Sequence, residues 1–207
     1  MNFAAVFFAS YLVGSIPTAY LFVRYKAGVD IRKAGSGNVG AYNTYDVTQS
    51  RASGVIVGLL DALKGLIVTA ALVWVLRSPV ELLAAGFLGV VAGHNYPVWL
   101  KFKGGRGLAT AAGGFFAIGV MYTLVWCTLW FVVYRIRKDI HAGNLFAIIV
   151  TPILVTAMPA VWLNALMISD VPPDSFKFIG MALSGLLFLS HLDVVKELIQ
   201  QRKMRNE

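Results

Sequence analysis

The chain has 207 residues and a formal charge of +8, with 58% apolar and only 14% charged residues, and its mean hydropathy is +0.72. Soluble domains are about half apolar and about a quarter charged, so this composition excludes an ordinary water-soluble globule and, more firmly, an intrinsically disordered chain. Cys127 is the single cysteine, which excludes an intrachain disulfide scaffold.

A helix that spans a bilayer needs roughly 20 mainly apolar residues, because the hydrocarbon layer is about 30 Å thick. Residues 3–23 hold no charge and predict the first helix. Gly14-Ser15-Ile16-Pro17 interrupts it, and Pro17, lacking an N–H, predicts a kink. With no basic leader and no small-x-small cleavage site, the segment reads as a retained helix rather than a signal peptide. Residues 54–76 form the next apolar segment and carry Asp61 and Lys64 three apart. Such a pair faces itself across one helical turn, as a register-fixing ion pair or as part of a site, since charges at membrane depth turn inward. Gly65 beside it permits close helix contact. The apolar segments 82–100, 108–134, 145–168 and 178–190 follow.

The lysines and arginines decide the topology. Fifteen of the 18 lie in loop 24–53, loop 101–107, loop 135–144 and the tail, whereas Arg77 and Lys177 stand alone in the other two connections. Basic loops stay cytoplasmic. All four can do so only if 108–134 crosses the membrane and returns, with a break near Gly119. The expectation is therefore an all-α polytopic membrane protein of seven transmembrane helical segments, N-terminus outside and C-terminus cytoplasmic, forming one integral membrane domain over 1–207. Six helices with one basic loop outside is the alternative. Because the basic residues sit in separate loops rather than in a stripe, no nucleic acid partner is expected.

Loop 24–53 is too short for a domain and too long for a plain connection. Its Gly35, Gly37 and Gly40 fit G-x-G-x-x-G, but no strand precedes them, so they are not a dinucleotide fingerprint. Glycines still let backbone N–H groups approach an anion, and a following helix N-terminus favours negative charge; Ser36 and Asn38 add side-chain donors. A flexible turn is the plainer reading. A second loop, Phe102-Lys103-Gly104-Gly105-Arg106-Gly107, offers two cations and three glycines. Anchoring to anionic lipid would explain its charges but not its glycines. Together the two loops can surround one or two phosphates on the cytoplasmic side. His94 reads as a packing residue. His94, His141, His191 and Cys127 show no metal-ligand spacing, so neither metal nor cofactor is expected.

At these loops the chain resembles the bacterial membrane acyl-phosphate:glycerol-3-phosphate acyltransferases, which make lysophosphatidic acid for phospholipid biosynthesis. The resemblance runs in matching order through Gly14-Ser15-Ile16-Pro17, Arg32-Lys33, Gly35-Ser36-Gly37-Asn38-x-Gly40-Ala41-x-Asn43, Asp61-x-x-Lys64-Gly65, Gly93-His94, Pro97 and the 102–107 loop. It implies a multi-pass protein of the bacterial cell membrane, with seven helices and an outside N-terminus. Acyl phosphate and glycerol 3-phosphate are the implied substrates, with membrane lipid as surroundings. Ser36, Asn38, Arg106 and His191 are the implied catalytic residues; Gly37, Gly40, Asn43, Lys103, Gly104, Gly105 and Asn144 are the implied substrate-binding ones. Ser36 and Asn38 would donate hydrogen bonds, Lys103 and Arg106 neutralise negative groups, and His191 position the acceptor.

Five positions depart from the family pattern: Tyr42 replaces threonine, Asp46 arginine, Arg106 lysine, Asn144 serine and Val194 asparagine. Asp46 matters most, since a unit charge 4 Å away is worth about 4 kcal/mol at an effective dielectric near 20. Either Arg32, Arg51 or Arg106 compensates, or the acceptor is a different hydroxyl compound. A catalytically inactive relative and a small anion transporter are the other readings, although no inverted repeat of the transporter kind is visible.

Overall fold

Pro17 cannot donate the backbone hydrogen bond that a continuous helix needs, and the first apolar segment breaks there into α1 (Phe3–Gly14) and α2 (Thr18–Ala27). The computed structural model describes residues 2–206, and the chain is all-α. It continues as α3 (Ala41–Thr48), α4 (Arg51–Ala70, prolonged by a wide π turn to Val75), α5 (Val80–Asn95) and α6 (Leu108–Ile118). Then come α7 (Met121–Arg137), α8 (Ile140–Ala157), α9 (Ala160–Asn164), α10 (Pro173–Leu189) and α11 (Leu192–Asn206).

The expected break near Gly119 separates α6 from α7. Backbone groups freed there are sealed by residues 166–168: Val120 N–H donates to Leu166 O (3.2 Å) and Ile168 N–H to Ile118 O (3.1 Å). Polar backbone can lie at membrane depth only with such partners. Three stretches are long and apolar enough to cross a membrane, Phe3–Ala27, Arg51–Val75 and Ile140–Ala157; a fourth is gained if α10 and residues 192–200 count together across a 53° bend. The 11 residues of α6 rise only about 16 Å, half a hydrocarbon layer. Phe8, Leu59, Ile67, Ile153 and Phe178 each leave 60–65% of their surface exposed. Outward apolar faces on this scale require lipid around them, and the protein is an integral membrane protein.

Small residues bring the helices together. A methyl group on Gly14, Gly89 or Gly93 would strike a main-chain carbonyl across the α1–α5 contact, and one on Gly65 or Gly113 would do the same between α4 and α6. Phe87, Phe115, Tyr122 and Phe176 fill the core between α5, α6, α7 and α10, with Phe115 at 5.1 Å from Phe87 and 5.6 Å from Phe176, centroid to centroid.

The break at Pro17 strands carbonyl oxygens inside this apolar bundle, and Lys64 satisfies them. Its Nζ donates to Ile16 O (2.9 Å) and Gly14 O (3.3 Å) and pairs with Asp61 Oδ1 at 3.0 Å. Thr18 donates its hydroxyl to the same Asp61 oxygen, and His94 Nδ1 stands 3.5 Å from it. The Asp61–Lys64 pair is thus a tie between α1, α2, α4 and α5, with both side chains buried.

The connections sort by end. Residues of loop 24–53, of loop 101–107 and of the α7–α8 turn with the start of α8 share one cavity, and Asp193 at the start of α11 reaches Arg106 at that same end. At the other end the α4–α5 connection and residues 168–171 line a separate cavity of about 530 Å³.

Removing the Lys64 ammonium strands Asp61 as an unpaired buried charge, which costs about 3–5 kcal/mol. Lys64→Met is expected to lower the thermal unfolding temperature in detergent sharply. Asp61→Asn added to it should recover part of the loss, because the second change removes the stranded charge.

Candidate active site

Gly28, in the left-handed region at φ +71°, ends α2 and turns the chain into the 28–40 loop. Asp30 then caps a short 3-10 turn over Ile31–Lys33, accepting the Arg32 N–H at 3.0 Å and pairing with its guanidinium at 2.7 Å. The Arg32 hydrogen bonds hold the Asp30 carboxyl down at about 2. Arg32 is therefore committed locally.

The loop is shaped by Asn43, which α3 buries beneath it. Its Nδ2 donates toward Asn38 O (2.9 Å), Ala34 O (3.1 Å) and Ile31 O (3.3 Å), while Oδ1 accepts the Ser36 N–H at 2.9 Å. Ser36 Oγ in turn accepts the Asn38 N–H at 3.5 Å. The second glycine loop docks on the first through Val39 N–H to Gly104 O at 3.3 Å. Gly104 and Gly105 donate their own N–H groups to Asn95 O (3.2 Å) and His94 O (3.1 Å) at the C-terminal end of α5. A Cβ at Gly105 would enter the His94 ring, and one at Gly104 would strike the His94 carbonyl. These glycines serve close packing, and their N–H groups are not free for a phosphate.

A cavity of about 200 Å³ opens between these pieces, and Ser36, Asn38 and Gly40 of the first loop, Asn43 of α3, Arg106 of the second loop and Asn144 of α8 reach its wall. Of the other expected site residues, Gly37 turns the loop at φ +72° and does not line the cavity. Gly104 and Gly105 lie behind the wall, Lys103 is solvent-exposed, and His191 is wholly buried with Nδ1–H donating to Leu187 O at 2.7 Å. Asp46 is also exposed and outside the wall, behind Gly35, so no carboxylate from that position enters the cavity. Tyr42, His94 and His141, not foreseen as site residues, do line it, as does Asp61. His141 and Asn144 lie three apart on α8, so the placement of one at the wall implies the other.

The electrostatics favour an anion. α3 and α6 both begin at the cavity, through Gly40, Ala41 and Tyr42 and through Gly107, Leu108 and Ala109. First-turn N–H groups have no intrahelical acceptor and carry the positive end of the helix dipole. Among the described residues Arg106 is the one lysine or arginine on the wall, with its side chain 13% exposed. Its Nη2 meets Asp193 Oδ2 at 2.8 Å and Nη1 stands 3.4 Å from His141 Nδ1. Leu108 and Ala109 also belong to an apolar groove of about 180 Å³ that runs on past Ala112, Phe115, Tyr122, Trp126 and Cys127. Among the described residues no imidazole is hydrogen-bonded to Ser36, whose Oγ accepts the Asn38 N–H, so no side-chain base is placed to activate it as a nucleophile. No cluster of three metal-ligating side chains occurs among the described residues.

Fold and site together define an integral membrane protein with a donor-rich, anion-favouring cavity that shares Leu108 and Ala109 with a neighbouring apolar groove. Residues 4–201 match the family model of glycerol-3-phosphate acyltransferases, and the chain belongs to that family. It is 42% identical over 154 residues to glycerol-3-phosphate acyltransferase 2 of Moorella thermoacetica, covering 74% of this chain and 77% of that one. It is 38% identical over 145 residues to the enzyme of the same name from Thermotoga maritima, covering 70% and 72%. Its fold superposes with a TM-score of 0.77 on the crystal structure of PlsY, an integral membrane glycerol 3-phosphate acyltransferase, in its glycerol 3-phosphate form, at 28% identity over 97% of this chain and 93% of that one. The lysophosphatidic acid form of PlsY matches at 0.78 with the same identity and coverage.

Asn43→Asp keeps the shape of the side chain but turns an acceptor toward three carbonyls. It is expected to lower acyltransfer by about a hundredfold through loss of loop geometry, with helix content by circular dichroism unchanged.

Proposed function

We propose that this protein transfers a fatty acyl group from acyl phosphate to a hydroxyl of glycerol 3-phosphate at the cavity bounded by Ser36, Asn38, Arg106 and Asn144, releasing lysophosphatidic acid. Family membership carries the glycerol 3-phosphate acyltransferase activity. The observation that supports the site is the junction at Leu108 and Ala109, where the polar cavity meets the apolar groove. A reaction between a charged, water-soluble acceptor and a lipid donor needs that junction.

In the proposed chemistry the glycerol oxygen attacks the acyl carbonyl. The new ester C–O bond forms, the carbonyl–phosphate C–O bond breaks, and the departing phosphate takes the hydroxyl proton. The donor is already activated, so no covalent enzyme intermediate is needed. The protein aligns the two reactants and stabilises the oxyanion. Ser36, Asn38 and Asn144 serve as hydrogen-bond donors, while Arg106 and the starts of α3 and α6 offset the phosphate charge. Arg106, which stands where the family has lysine, is the cation left to this wall once the arginine is missing at Asp46. The acyl chain lies in the groove along α6 and α7. His191, set back from the wall, is assigned no direct contact, and neither are Lys103, Gly37, Gly104 and Gly105.

We further propose seven transmembrane helical segments, with the N-terminus outside and this site at the cytoplasmic face of the bacterial cell membrane. The gathering of the basic connections at one end of the bundle supports this topology.

The purified protein is expected to form lysophosphatidic acid from palmitoyl phosphate and glycerol 3-phosphate. Ser36→Ala should lower kcat/KM by about 10²–10³, as for loss of an oxyanion donor. No product from the wild-type protein would refute the reading. Cys127, the single cysteine, reports on the groove: its alkylation by a small maleimide is expected to slow when lysophosphatidic acid is bound. Equal rates with and without lipid would place the chain elsewhere.

A further inference from the structure

α11 is loosely attached. It leaves α10 across the 53° bend, and among the described residues no other helix packs along it. Its first turn is held by buried Val194 and by the contact of Asp193 with Arg106. That contact is single-pronged. Asp193 Oδ2 meets Nη2 at 2.8 Å, Arg106 Nε has no acceptor, and the Asp193 side chain is 59% exposed. The carboxylate approaches from outside, for Asp193 is not part of the cavity wall that Arg106 belongs to.

Resting on the assignment of the cavity to glycerol 3-phosphate, we propose that Asp193 is a displaceable counter-ion: it compensates the Arg106 charge in the empty site until a doubly charged phosphate displaces it. A half-exposed single-pronged pair is worth little, about 0.2–1 kcal/mol. A phosphate that offers two oxygens to the guanidinium fork binds it more strongly than one carboxylate oxygen does. The exchange therefore runs downhill for a dianion, while a neutral polyol has nothing to exchange and leaves the pair closed. The bend before α11 lets Asp193 withdraw without disturbing the helix core.

The test is the Kd of glycerol 3-phosphate for the full-length protein in detergent, measured by calorimetry at low salt. Asp193→Asn is expected to tighten binding by roughly threefold to fivefold, the factor that release of such a pair allows. The gain should shrink at high salt, where the wild-type pair is screened. In an Arg106→Gln background the same substitution should change nothing. Weaker or unchanged binding in Asp193→Asn would overturn the proposal and make Asp193 a support for Arg106. An equal gain without the guanidinium would overturn it too. Absence of binding by every variant would sink both the proposal and the substrate assignment. Failure of turnover alone bears on the acyltransfer reading, because binding is read without the acyl donor.

Discussion

An ammonium group inside an apolar helix bundle must find an acceptor for each of its three protons, and Lys64 finds two of them in the carbonyls that the Pro17 break releases. That requirement organises much of the site. It ties the Pro17 break between α1 and α2 to α4, it holds Asp61 against Thr18 and His94, and it thereby braces the end of α5 on which the second glycine loop rests. Gly105 then packs against the His94 ring, and Val39 of the first loop hangs from Gly104. A buried ion pair is seldom a net source of stability. Here its role is geometric: it joins four helices beside Val39 and Pro97, close to where the two glycine loops meet.

The anion field is built without a β-strand and with a single wall cation. Two helix starts point at one small cavity, and side-chain donors enter from the two glycine loops and from α8. The apolar groove meets this cavity at the first turn of α6, the same turn that supplies backbone donors. One short helix, too short to cross the membrane by itself, therefore borders both the polar cavity and the apolar groove. Its length is set by Gly107, in the left-handed region at one end, and by the extended backbone at Gly119 at the other.

Much of this was legible in the chain. Charge-free segments and the bias of lysine and arginine gave the helical membrane class and the break near Gly119, because burial in lipid and loop charge are both written in composition. That Ser36, Asn38 and Arg106 come to one cavity wall was legible from glycine-dotted loops. The work done by the glycines was not: in one loop they allow positive φ, in the other they allow contact with α5, and spacing alone does not separate the two. Asn43 reads as a ligand contact until the three carbonyls around its amide are seen. The resemblance grouped His191 with the site, but a helix bend turns it into the protein interior. Asp46 looked like a repulsive substitution, yet it lies one turn beyond Asn43 on α3, under Gly35 and outside the cavity wall, a place set by the irregular path of the loop that spacing alone does not give.

The most direct measurement is a crystal structure with glycerol 3-phosphate bound. The account requires the phosphate between the Arg106 guanidinium and the first turn of α3, within hydrogen-bond reach of Ser36 or Asn38, with the free hydroxyls turned toward the groove at Leu108. A phosphate held instead in the cavity beside Arg77 and Asp170, or by Lys103 on the outer surface of the loop, would contradict it.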